Sequence, residues 1–232
     1  MIRIICLLIG YVFGLFQTAY IYGRAHGIDI REHGSGNAGT TNTLRVLGTK
    51  AGLIVFLGDC LKCMAAVWLV RILFGTTYHN IIYLLCLYTG AGAILGHNYP
   101  FYLNFKGGKG IAATAGMVLS FHPYFIVTGL LLFFVPFFTT HYVSLGSLLV
   151  YAGLLIQLII FGQMGFFSEM TQPQLIEMYL LFGALAVMAF WKHRENIRRL
   201  INGNERKTYL TKKNKVDAEP VEKEDPACDQ KR

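Results

Sequence analysis

Three short stretches of this chain gather residues suited to holding anions. The first, Gly34-Ser35-Gly36-Asn37-Ala38-Gly39-Thr40-Thr41-Asn42-Thr43-Leu44-Arg45, packs three glycines into six residues and follows them with hydroxyls, amides and a guanidinium. Glycines let backbone N–H groups turn inward as an anion cradle, and Arg45 adds a full positive charge. The same composition suits a flexible connector, so this stretch alone leaves both readings open.

The second stretch is Gly96-His97-Asn98-Tyr99-Pro100, followed by Phe105-Lys106-Gly107-Gly108-Lys109-Gly110. Glycines around Lys109, just ahead of an apolar run, would offer N–H groups, a helix N-terminus and an ammonium to one anion. It is not a P-loop: no glycine lies five residues before Gly108, and Gly110 occupies the place of the magnesium-binding Ser or Thr. Membrane anchoring by Lys106 and Lys109 is the competing explanation. The third stretch runs from Trp191 through Lys192-His193-Arg194-Glu195-Asn196 to Arg199-Leu200, then Gly203-Asn204-Glu205. On a continuous helix His193 and Asn196 share a face, where a histidine can bind phosphate or move a proton; anchoring at the headgroups explains the same residues without chemistry. Asp59 and Lys62, also three apart, fall inside an apolar run, where charges are costly enough to signal either function or a structural ion pair.

The elements that must position these residues are membrane helices. Hydrophobic residues are 54% of 232, and apolar runs recur at 2–23, 51–74, 81–97, 111–121, 123–139, 142–165 and 174–191, which marks an all-α polytopic membrane protein. The first run carries only Arg3 and has no small-residue cleavage site before Gly23, so it reads as a retained span. Arg24, Arg31, Arg45 and Lys50 flank the first two runs, Lys106 and Lys109 precede the fourth, and Lys and Arg crowd the region after 191, whereas 75–80, 140–141 and 166–173 have neither. The positive-inside rule then places the basic regions in the cytoplasm and predicts seven spans, with the N-terminus outside and the C-terminus cytoplasmic. Four crossings after Lys109 require 111–121 to be a short span, about 17 Å of helix against a core of roughly 30 Å. This topology brings all three stretches to one face.

Several alternatives fail on the residues. The net charge of +8 lies beside apolar segments, so nucleic acid is set aside. Gly34, Gly36 and Gly39 match a dinucleotide-binding spacing, but a spanning helix precedes them where that motif needs a strand. No histidine has an aspartate five places on, as soluble-type acyltransferases require. Cys60 and Cys63 form a lone C-x-x-C within an apolar run, read as packing. Neither metal nor cofactor is expected.

Taken together in order, the three stretches resemble the bacterial acyl-phosphate:glycerol 3-phosphate acyltransferases, the PlsY family. The resemblance spans residues 34–205 and implies a seven-helix inner-membrane enzyme that acylates the 1-hydroxyl of glycerol 3-phosphate from acyl phosphate, giving 1-acylglycerol 3-phosphate. It implies catalytic roles for Ser35, Arg45, Lys109, His193 and Asn196. It implies phosphate or substrate binding by Gly34, Gly36, Asn37, Gly39, Thr41, Asn42, His97, Gly107, Gly108 and Gly110, with Asp59, Lys62 and Glu205 in support. Expected partners are the two substrates, membrane lipid and the enzyme that makes acyl phosphate. Thr40 and Cys63 depart from the family pattern, which has Ala and Gly at those places. Residues 1–205 read as one membrane domain and 206–232 as a polar, disordered cytoplasmic tail. A transporter of a small phosphorylated anion is the alternative, opposed by the lack of an internal repeat and by clusters at span ends instead of the midplane.

Overall fold

The computed structural model describes residues 1–210, and the tail expected over 211–232 lies outside the described residues. Ten α-helices follow in order: α1 Ile2–Gly14, α2 Thr18–Ala25, α3 Thr40–Leu47, α4 Thr49–Phe74, α5 Ile82–Asn98, α6 Ile111–Leu119, α7 Pro123–Thr140, α8 Val143–Gln163, α9 Gln172–Lys192 and α10 Arg194–Ile201. Six segments are long and apolar enough to cross a membrane: Ile2–Ala25, Thr49–Phe74, His79–Leu103, Pro123–Thr140, Val143–Gln163 and Gln172–Lys192. The seventh expected span is α6, whose nine residues extend only about 14 Å at 1.5 Å per residue.

Backbone approach dictates the central pairing. Gly10 and Gly14 on α1 face Gly92 and Gly96 on α5; a Cβ on any of the four would strike the opposite helix's backbone, at Thr89, Ala93, Leu7 or Tyr11. In lipid, helices gain little from apolar burial against one another, so such small-residue seams let dispersion contacts hold them together. Gly116 gives α6 the same access to α4, where a Cβ would meet the Cys60 carbonyl and come within 3.1 Å of Cys63 Cβ. The α6 helix therefore lies level with the middle of α4, not its start. At its far end Arg71 of α4 donates to Phe121 O at 2.9 Å.

The first apolar run is one crossing segment but two helices. It breaks at Leu15–Gln17, and the buried Gln17 amide donates to the carbonyls of Gly14, Gly96 and His97 at 3.2, 3.1 and 3.2 Å. The break also frees Phe16 O, which accepts from Lys62 Nζ at 2.5 Å. A polar patch at membrane depth is thus fed by backbone that the helix gave up.

Candidate active site

The stretch from Gly34 to Arg45 is only half loop. It turns at Gly34 (φ 64°) and Gly36 (φ 69°), both in the left-handed region, and then starts α3 directly after Gly39. Asn42 locks the turn: its Nδ2 donates to the carbonyls of Ile30 (3.1 Å) and His33 (2.9 Å), while its Oδ1 accepts from Ser35 N (2.8 Å) and Ser35 Oγ (3.1 Å). Asn42 therefore spends its polar atoms on the loop. The first amides of α3 have no carbonyl partner within the helix and are free to face an anion.

The second stretch repeats the arrangement. Gly107 N and Gly108 N donate to the carbonyls of Asn98 (3.3 Å) and His97 (3.1 Å), folding the loop back on the end of α5. Gly110, at φ 80°, turns the chain into α6. A side chain at Gly107 or Gly108 would collide with His97, and one at Gly110 would approach Asn98 Oδ1 at 3.0 Å. Two glycine loops thus deliver two helix N-termini.

At the third stretch the helix does not run on unbroken. It ends at Lys192 and restarts at Arg194, with His193 at the junction (φ −100°, ψ 7°), so the i, i+3 reading of His193 and Asn196 is replaced by a bend. The bend serves both residues. His193 Nδ1 is 2.8 Å from the Ala189 carbonyl, which can only accept; Nδ1 therefore carries the proton and Nε2 keeps its lone pair in the neutral ring. Burial, then the charge of Lys109, lowers the His193 pKa to about 4. Asn196 accepts from Lys109 Nζ and donates to Glu205 Oε1 at 2.7 Å. Glu205 also takes Ser144 Oγ at 2.9 Å and Arg199 Nε at 2.8 Å, and is the anionic post on which Asn196 and Arg199 are hung. Lys109, half-buried beside Arg199, has its pKa lowered to about 8 by desolvation and then by that positive charge.

These pieces enclose one cavity of about 570 Å³. Its wall holds Gly34, Ser35, Gly36, Asn37, Gly39, Thr41, Asn42 and Arg45 from the first stretch, His97, Gly107, Lys109 and Gly110 from the second, His193, Asn196 and Glu205 from the third, and Asp59 from α4. Gly108 and Lys62 lie behind the wall. Gly108 packs on His97, and Lys62 reaches Asp59 Oδ1 at 2.8 Å and His97 Nδ1 at 3.0 Å. Lys106 is exposed and off the wall, whereas Lys192 turns inward, donating to Asn98 O at 3.2 Å.

Other wall residues were not singled out from sequence. Arg31 is held by a bidentate pair to buried Asp29, at 3.0 and 2.7 Å. Ser144 and Ser147 sit three apart at the start of α8, a spacing that in an otherwise apolar run could have flagged them. Thr40 and Arg199, within the first and third stretches, also line the wall. Packing also continues past residue 205, where a tail was expected to begin. Thr208 is buried, its N–H donates to His141 O at 2.9 Å, and its Oγ1 accepts from Arg45 at 2.7 Å.

Fold and site together define a multi-pass membrane protein with a cation-rich cavity at one end of its helix bundle. The glycerol-3-phosphate acyltransferase family model matches residues 4–203, and the chain belongs to that family of integral-membrane acyltransferases. A glycerol-3-phosphate acyltransferase of Bacillus cytotoxicus is 39% identical over 215 residues, which cover 92% of this chain and 99% of that protein. Glycerol-3-phosphate acyltransferase 2 of a Bacillus cereus strain is 41% identical over 209 residues, 90% of this chain and 96% of its own. Among solved structures, the crystal structure of PlsY (YgiH), an integral membrane glycerol 3-phosphate acyltransferase, in its glycerol 3-phosphate form matches with a TM-score of 0.74 at 30% identity, covering 89% of this chain and 96% of that one. Its lysophosphatidic acid form gives 0.71 at 29% identity, covering 90% and 96%.

Proposed function

We propose that this protein transfers an acyl chain from acyl phosphate to the 1-hydroxyl of glycerol 3-phosphate, releasing 1-acylglycerol 3-phosphate and phosphate. The observation that carries the reading is the meeting of two glycine-led helix N-termini with Arg45, Lys109 and Arg199 around one cavity, where Glu205 bonds Arg199 and, through Asn196, holds Lys109. Two phosphorylated substrates need two cradles and surplus positive charge. The hydroxyl oxygen attacks the acyl carbonyl carbon, the bond from that carbon to the phosphate oxygen breaks, and phosphate departs with its electron pair. The hydroxyl proton goes to a phosphate oxygen: with its pKa near 4, the neutral His193 is a weaker base than a phosphate ionising at about 6. His193 then serves as an acceptor that orients the hydroxyl, and Ser35 turns its hydroxyl from Asn42 Oδ1 to donate to phosphate. Much of the catalysis is positioning.

The reaction face would be the cytoplasmic side of a bacterial inner membrane, with the N-terminus outside and α6 as a seventh, half-length crossing. Two facts support that crossing. Arg71 lies about 33 Å along α4 from Thr49 at 1.5 Å per residue, and its bond to Phe121 O brings the end of α6 to that far level. The acyl phosphate would come from a partner enzyme upstream.

The test uses purified protein in lipid with labelled glycerol 3-phosphate, supplied with acyl phosphate in one tube and acyl-CoA in another. Product from acyl phosphate only supports the reading. Product from acyl-CoA only would overturn the donor. No product from folded protein in either tube would overturn the reaction and favour an anion carrier.

A further inference from the structure

The Asp59–Lys62–His97 group is more than an ion pair hidden in the bilayer. Lys62 Nζ has three partners, Phe16 O at 2.5 Å, Asp59 Oδ1 at 2.8 Å and His97 Nδ1 at 3.0 Å, one for each ammonium hydrogen. Asp59 Oδ1 supplies the countercharge and also accepts from Thr18 Oγ1 at 3.0 Å. An ammonium can only donate, so His97 Nδ1 must accept, and the imidazole is then neutral with its proton on Nε2. Asp59 Oδ1, at 3.5 Å from Nδ1, is too distant to compete for a proton there.

Nε2 has no hydrogen-bond partner among the described residues and is not one of the sealed, unpartnered polar atoms, so it borders the cavity that His97 lines. His97 forms part of the wall, and its Nε2 edge lies against the bare Cα of Gly108, where any side chain would strike Nε2 and approach Ala38 O at 2.9 Å. The same cavity wall includes apolar Phe56, one turn before Asp59 on α4, and Ala112 at the start of α6. His193 has the opposite arrangement, with Nδ1 protonated and Nε2 as acceptor. The cavity thus holds one imidazole that can only give and one that can only take.

Building on the proposed reaction, we infer that His97 is a further catalytic residue, whose Nε2–H donates to the acyl carbonyl oxygen as it gains negative charge, with Lys62 and Asp59 as positioning residues that fix its tautomer. The imidazole keeps its proton throughout; the carbonyl oxygen returns to a double bond when phosphate leaves. A neutral donor suits this place, because the oxygen becomes anionic only at the tetrahedral stage. The charged side chains are left for the phosphates.

The test pairs kinetics with ¹⁵N NMR of histidine-labelled protein in lipid. His97→Phe, checked for folding by its thermal transition, should lower kcat about 10²- to 10³-fold, the range for loss of one oxyanion donor, while KM for glycerol 3-phosphate changes less than threefold. His97→Gln, which returns an N–H near the position of Nε2, should recover at least tenfold of that loss. In the wild type, the His97 signal should show a protonated Nε2 and a bare Nδ1 at neutral pH, and Lys62→Met should mix the two tautomers. A wild-type signal with Nδ1 protonated would overturn the inference even if His97→Phe fails to fold, and so would a folded His97→Phe with unchanged kcat. Wild-type protein without acyl transfer would instead count against the proposed reaction, leaving the tautomer result to stand as a structural fact.

Discussion

Two of the polar clusters among the described helices are built on opposite principles. Near the start of α1 and α9, Arg3 grips Glu177 through both guanidinium arms at 2.5 and 2.8 Å, and Tyr88 donates to the same carboxylate at 2.8 Å. One cation meets one anion, and the carboxylate is saturated. Around the large cavity stand Arg45, Lys109, Arg199 and Lys192; Glu205 bonds Arg199 directly and Lys109 through Asn196, and the first amides of α3 and α6 add partial positive charge. Both clusters are costly to place among apolar helices, but only the second leaves its charge unbalanced and facing space. A closed pair ties helices together; an open surplus prepares a place for anionic ligands.

The sharpest way to break this comparison is to remove charge from the open cluster. Lys109→Ala should lower acyl transfer about 10³-fold, in the range lost with a group that stabilises developing charge, while its thermal transition stays within a few degrees, since the change relieves crowded positive charge. A stable but fully active variant would remove Lys109 from the site.

Alkaline titration reaches the same group without mutation. With its pKa held near 8, Lys109 is charged below that pH and neutral above it. A log–log profile of kcat/KM should therefore descend about tenfold per pH unit above roughly pH 8. Because His193 is already neutral above about 4, the profile should show no inflection from it near the ordinary histidine value. A Lys109→Arg variant, charged throughout, should lose the alkaline limb if it retains measurable activity.

Glu205→Gln probes the post that holds the open cluster. It keeps a partner for Ser144 but weakens the hold on Arg199 and Asn196, with an expected loss of about tenfold in kcat and about 1–3 kcal/mol of stability, the scale of a compromised buried hydrogen-bonding group. Unchanged kinetics would reduce Glu205 to a spectator. The smallest effect belongs to the closed cluster: Glu177→Gln should lower the thermal transition by a few degrees, consistent with about 1 kcal/mol for a part-exposed pair, and leave kcat and KM as they were. A change in activity there would show that the two ends of the bundle are coupled.

The sequence was most legible where one residue type carries the signal. Long apolar runs declared the membrane helices, and glycines beside Arg45 and Lys109 marked two loops that the fold brings to one cavity, because lipid and close backbone approach each leave few alternatives. Gly10, Gly14, Gly92 and Gly96 are equally plain once seen as pairs four apart, yet which helix each pair meets is not written in either. Arg31 and Ser144 were hidden for the same reason: their roles depend on Asp29 and Glu205, partners that no local pattern names.

By itself, then, the sequence determined a polytopic helical protein, three anion-suited stretches and the family they resemble, since composition, periodicity and glycine spacing are properties of the chain alone. Tertiary structure decided the rest. It broke the first span at Leu15–Gln17 to free Phe16 O, shortened α6 to nine residues level with the middle of α4, bent the chain at His193, and carried the packing on to Thr208. Each of these depends on contacts between residues far apart in the chain. The protonated nitrogen of His97 is settled in the same way, by a lysine 35 residues away that can only donate.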